Sequence, residues 1–194
     1  MVKVKKLVYA SVLIALGSMM YIFESIIPFP IPFGKWGFSN FVVLFSATVF
    51  DLKTTLLVAI GKSVFGNLIA GHVFDPVFVL SFCGSLSAAF IQFAAWRIKF
   101  FGLAGVSLLG SIGNNLTQAL VGMAVLKSSA FLILLPWMLI LGIPGAFANA
   151  MIVKKVKEYA TEVDFGFNFS KEKKAFENFS QGIRNCRSTN SRDT

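Results

Sequence analysis

The sequence predicts an all-α integral membrane protein: a six-helix transmembrane bundle over residues 1–153 and a polar cytoplasmic tail over 154–194. Composition is the first observation. Of 194 residues, 56% are hydrophobic and 14% are charged, with 22 phenylalanines, and a soluble domain of this size has too little interior to cover so much apolar surface. The second is charge distribution. Residues 1–153 hold three acids (Glu24, Asp51, Asp75) and nine bases, whereas 154–194 hold six acids and nine bases. The third is placement. Most bases stand just outside apolar runs, where they orient spans and attract anionic lipid, so the net charge of +9 does not imply nucleic acid.

A helix that crosses ~30 Å of hydrocarbon needs roughly 20 apolar residues. Span one, 7–27, follows Lys3, Lys5 and Lys6. Its start, "MVKVKKLVYASVLIALGSMM", has the basic onset and apolar core of a signal peptide but no clear small-x-small cleavage site, so it reads as a retained span. Span two, 38–50, is short for a straight crossing and begins inside the outer leaflet or continues from a partly buried loop. "DLKT" separates it from span three, 54–70, because Asp51 and Lys53 favour a turn. Spans four, five and six follow at 77–96, 101–126 and 131–152, with Pro136 and Pro144 interrupting the last; five spans is the alternative. Lys3, Lys5, Lys6, Lys53, Arg97, Lys99, Lys154, Lys155 and Lys157 then share one side. The positive-inside rule puts both termini in the cytoplasm of a cell-membrane protein. In the tail, "SKEKKAFENFSQGI" forms a short amphipathic helix carrying Phe176, Phe179 and Ile183, or the tail is mostly disordered.

Two tempting motifs fail. Gly61-Lys62-Ser63 would need a glycine at position 56 to make a phosphate-binding loop, and Leu56 stands there, in a run with no strand–loop–helix context. Cys83 lies in an apolar run and Cys186 in the tail, which suits neither a disulfide nor a metal ligand. No catalytic residue, metal site or cofactor is expected.

The polar residues inside the spans are informative by depth, counted at ~1.5 Å per residue. Glu24 and Asn40 fall near the outer ends of spans one and two, Lys62 at mid-membrane in span three, and Asn67 further out. Asn114 and Asn115 lie near the middle of span five with Gln118 on its outer half; Gln92 and Asn149 lie towards the cytoplasm. A charge at the bilayer centre costs at least ~2.5–3.5 kcal/mol, so Lys62 should face a cavity or a partner. One cationic head with several amides, open to the outside, suits a small polar or anionic solute. The competing reading makes Lys62 and Glu24 an internal staple and the amides interhelical hydrogen bonds.

The segment "IPFPIPFGKWGFSN", 27–40, reads as a lid over that mouth. Pro28, Pro30 and Pro32 stiffen it, Gly34 and Gly37 allow turns, Trp36 packs beneath, and Lys35 points to solute or headgroups. The bland version is an interfacial aromatic belt. On span one, Ser11 and Ala15 form a small-xxx-small pair with Ser18 one turn on, a stripe able to receive a partner helix.

The run Pro28-x-Pro30-x-Pro32-x-Gly34-Lys35-x-Gly37-x-x-Asn40, with Gly61, Gly71, "SFCGSLSA" and "SIGNNLTQ", resembles the Gx transporter family, also labelled heptaprenyl diphosphate synthase component I. The resemblance covers about 5–153. That family looks like the substrate-binding S-components of energy-coupling factor transporters. It implies six helices, an outward pocket capped by the first loop, uptake of a micronutrient-like solute, and docking through the first helix to a membrane scaffold subunit and two ATPases. Ser11 stands where such proteins often carry alanine. The synthase label has a chemical obstacle: prenyl elongation needs aspartate clusters holding Mg²⁺, and residues 1–153 contain two aspartates and no D-D-x-x-D. The expectation is a non-enzymatic solute-capture subunit. The alternatives are a non-catalytic membrane accessory of isoprenoid synthesis and a solitary secondary transporter.

Overall fold

The computed structural model describes residues 2–27, 36–73 and 75–162. Among them are six α-helices, one 3-10 turn and no strand. These are α1 (Val2–Ile26), the 3-10 turn (Phe38–Asn40), α2 (Phe41–Val49), α3 (Leu52–Ile69), α4 (Pro76–Ile98), α5 (Leu103–Leu126) and α6 (Ala130–Glu162). The chain divides into two compact units, Met1–Lys154 and Lys155–Thr194. Of the second, 155–162 is described, as the last turns of α6.

Four helices, α1, α3, α4 and α6, are long and apolar enough to cross a membrane, which makes this a multi-pass membrane protein. With 24 residues α5 is long enough too, but it carries serines, two asparagines and a glutamine that lower its apolarity. The structure shows where those groups go. Ser107 donates to the Ala146 carbonyl (2.7 Å), Ser111 to the Gly142 carbonyl (3.3 Å) and Asn115 Nδ2 to the Met138 carbonyl (2.8 Å). Donors spaced by four on α5 meet acceptors spaced by four, in reverse, on α6. This ladder satisfies the polar stripe of α5 inside the protein.

Local chemistry sets several boundaries. Asp51 precedes α3, accepting from the Thr54 hydroxyl through its side chain and from the Thr55 N–H through its carbonyl. Asp75 and Pro76 open α4, with proline in the first turn where its missing N–H costs nothing. Gly71, at φ +77°, ends α3 with a paired closure: its N–H reaches the Leu68 carbonyl and the His72 N–H the Asn67 carbonyl.

Helices α1 and α3 pack through glycines. Gly17 lies against Lys62 and Val42, Gly61 against Ile14, and Gly66 against Tyr21. Helix α4 packs against α2, α3 and α5. One apolar core joins Leu44, Ala95, Val106 and Val153, from α2, α4, α5 and α6; a second joins Leu80, Ala119 and Phe131.

Two boundaries differ from expectation. Helix α1 begins at Val2 rather than 7, and α6 runs to Glu162 rather than 152, into the stretch expected to be tail. Lys, Glu and Ala are good helix formers, so "KKVKEYATE" continues α6 after hydrophobicity ends. At 33 residues α6 is ~50 Å long, more than a membrane core needs. The candidate amphipathic segment with Phe176, Phe179 and Ile183 lies outside the described residues.

Candidate functional site

The most polar part of the interior gathers around residues 36–40, the short stretch that leads into α2. Gly37 takes φ +79°, a left-handed conformation that glycine adopts without strain, and turns the chain into the 3-10 turn. The peptide unit between Gly37 and Phe38 is held from two sides. Its N–H donates to Glu24 Oε1 of α1, and its carbonyl accepts from Asn149 Nδ2 of α6 at 2.8 Å. The same carbonyl accepts from the Asn40 N–H at 3.1 Å. A carboxylate at the first N–H of a helical turn is well placed electrostatically.

Lys62 approaches from α3. It is 1% exposed, and its stem lies along α1 where Gly17 has no side chain. Its ammonium donates to Asn40 Oδ1 and to Ser39 Oγ (3.4 Å). Glu24, 4% exposed, lies within electrostatic reach of that ammonium, and Ser39 lies against its carboxylate. Glu24 Oε2 nonetheless has no hydrogen-bond partner among the described residues. Glu24 and Lys62 therefore compensate one another, as the staple reading requires, but they do so across residues 38–40.

A second polar group adjoins the first through α1. The Tyr21 hydroxyl donates to Asn67 Oδ1 at 2.6 Å and lies 3.4 Å from Ser81 Oγ. Asn67 Nδ2 donates to Ser81 Oγ at 2.8 Å and to the Ser63 carbonyl at 2.6 Å. The third group is on α5. Asn114 Nδ2 bonds Asn115 Oδ1 at 3.3 Å, while Asn114 and Gln118 lie against Gly84 of α4.

Among the residues read as site candidates, the structure brings Glu24, Asn40 and Lys62 together and sets Asn67 beside them through Tyr21. Asn115 is spent on the α5–α6 ladder, and Asn114 and Gln118 form the separate α4–α5 group. Lys35, Pro28, Pro30, Pro32 and Gly34 lie outside the described residues; Trp36 and Gly37 are the end of the lid segment that is described. Trp36 stacks near Phe38, with ring centroids 6.4 Å apart, and its carbonyl lies against Gly145 of α6.

Counting along the last span sets Asn149 towards the cytoplasm and apart from the candidate site, but its Nδ2 reaches the Gly37 carbonyl, so it belongs to the group around residues 37–40. Ser39, Tyr21 and Ser81 also escape a reading of the sequence. A phenol and two serines carry no signal in an apolar run until their neighbours are known. On α1, Ser11 and Ala15 are exposed, and Ser11 returns its hydroxyl to the Leu7 carbonyl. Ser18 is buried, so it is not part of that outer stripe.

At the edge of the bundle, Lys6 of α1 pairs with Asp51 at 3.1 Å. Partial burial pushes the Asp51 carboxyl up, but the hydrogen bonds from Lys6 and Thr54 outweigh it and hold the group below its ordinary value. No cluster of three or more metal-ligating side chains occurs among the described residues.

Comparison with curated proteins and with solved structures finds no match in either. Residues 13–156 match the family model described as heptaprenyl diphosphate synthase component I, and with most of its 194 residues covered the chain belongs to that family.

Proposed function

We propose that this protein is a solute-capturing membrane subunit, similar to the S-components of energy-coupling factor importers. It binds a small polar solute from the outer face and depends on the ATPases of partner subunits. Both termini are cytoplasmic, α2 is a half-length span entered from the outer side, and the segment 27–40 is the lid. The observation that carries this reading is the clamp at residues 37–40. Three helices, α1, α3 and α6, commit a carboxylate, an ammonium and an amide to the described end of the lid segment. Buried ionic and polar groups are costly in an apolar bundle. Spending three of them on one hinge fits a lid whose position is read by the helices below. The exposed Ser11/Ala15 face of α1 is the docking surface for the scaffold subunit in this reading.

The test is recovery of a bound small molecule from gently extracted full-length protein by mass spectrometry, with co-purification of an ATPase module from the native membrane. Absence of both overturns the proposal. A second reading is favoured by the family's description: a non-catalytic membrane accessory of prenyl diphosphate synthesis. Capture of a soluble prenyltransferase whose activity depends on this chain would establish that reading instead.

A further inference from the structure

Resting on the capture reading, we infer that the solute carries no net charge, being zwitterionic or uncharged, and that it presents an N–H or O–H donor to Glu24 Oε2. Two independent observations lead there. The first is an atom inventory. In the group around residues 37–40, the Lys62 ammonium is committed to Asn40 and Ser39, the Phe38 N–H to Glu24 Oε1, and Asn149 Nδ2 to the Gly37 carbonyl. The group is left with two buried acceptor oxygens that make no hydrogen bond among the described residues, Glu24 Oε2 and Asn149 Oδ1, and of these the carboxylate oxygen carries the charge. Buried polar atoms are nearly always paired, and a carboxylate oxygen can only accept, so the missing partner is a donor.

The second observation is charge balance. Glu24 and Lys62 lie within electrostatic reach of one another across residues 38–40, both almost fully buried. Written as carboxylate and ammonium, the pair sums to zero. An anion added beside it leaves one negative charge uncompensated in a low-dielectric interior, and a cation leaves one positive charge; both are strongly disfavoured. A dipolar solute aligned against the pair adds attraction without net charge. This argues against the anionic solute that Lys62 alone suggests, because its ammonium already serves residues 39 and 40.

The experiment uses the detergent-solubilised full chain and three probes made from one small-molecule cell extract, sorted by ion exchange into anionic, cationic and net-neutral fractions. Binding is read by the rise in melting temperature and by the mass of the retained compound. The comparison protein is Glu24→Gln/Lys62→Met, which stays net neutral in the pair and keeps side-chain volume. We expect the neutral fraction to raise the melting temperature of the wild type, with retention falling at least tenfold in the double variant. Binding from the anionic or cationic fraction overturns the inference and leaves the capture reading standing. Equal retention by wild type and double variant overturns the role of Glu24. Binding from no fraction overturns the inference and the capture reading together. Should the double variant fail to fold, Glu24→Gln alone is measured with the same three fractions, and undiminished retention of the neutral compound overturns the assignment.

Discussion

Glu24 and Asn149 hold opposite ends of one peptide unit, the N–H of Phe38 and the carbonyl of Gly37. The first and last helices are thereby tied to the chain just before α2. Asn149→Ala removes the α6 side of this grip. The Gly37 carbonyl keeps its bond from the Asn40 N–H, so it is not orphaned. Interhelical hydrogen bonds in membrane proteins contribute about 0.6–1.7 kcal/mol, and a loss in that range is expected here. Unfolding of the purified variant in a graded denaturing detergent measures it; a wild-type midpoint would mean the contact contributes nothing.

The same clamp has steric limits that two glycines expose. A Cβ on Gly145 would sit 2.1 Å from the Trp36 carbonyl oxygen, a backbone atom that cannot rotate away. A Cβ on Gly17 would sit 2.7 Å from Val42 Cγ2 and 3.1 Å from Lys62 Cβ, both side-chain atoms. Overpacking of this kind costs about 1–3 kcal/mol, with the upper end or beyond expected for Gly145→Ala. Gly71→Ala is the control, since its Cβ meets nothing within 4 Å and its cost is confined to backbone strain at φ +77°. The expected order of melting temperatures is Gly71→Ala above Gly17→Ala above Gly145→Ala, and a reversal of the last two would contradict the geometry.

The helices are legible because hydrophobicity and basic flanks mark where a span can lie, and because Asp51 and Lys53 mark the turn before α3. The end of α6 is not, since helix propensity there outlasts hydrophobicity, and depth counted along one helix gives no sign that Asn149 reaches Gly37. Lys62 and Glu24 stand out because a charge in an apolar run needs a partner. Asn115 looks equivalent to them, and only the register of α5 against α6 reveals it as the rung after Ser111, donating to the Met138 carbonyl. Side chains committed to a neighbouring backbone cannot be told from ligand-facing ones by spacing within a single helix.

Asp51 gives a pH dependence with a definite sign. Its folded value lies below the ordinary 3.8 because Lys6 and Thr54 donate to it, against the opposing effect of partial burial. A carboxyl with a depressed folded value contributes stability above its unfolded value, and that contribution disappears as pH falls through the folded one. The Lys6–Asp51 pair is nearly half exposed, so solvent screening keeps it small, within the roughly 0–1 kcal/mol of surface pairs. Asp51→Asn should melt slightly below wild type at neutral pH, with the gap closing as pH drops below 3.8. A gap that is independent of pH would assign the loss to the helix start rather than to charge.

Lys62 separates a clamp from a simple solute ligand. Lys62→Met keeps the stem against Gly17 while deleting the ammonium, so Asn40 Oδ1 and Ser39 lose their donor and Glu24 loses its compensating charge. Removing one half of a buried ion pair costs about 3–5 kcal/mol, most of it the charge left behind. Lys62→Ala adds the loss of the apolar stem and a cavity beside Gly17, so it should fall further. Adding Glu24→Gln to Lys62→Met removes the stranded charge and should recover much of the melting temperature. A side chain that served only to meet a solute would show the opposite pattern, with unchanged melting of the solute-free protein and no rescue by the second substitution.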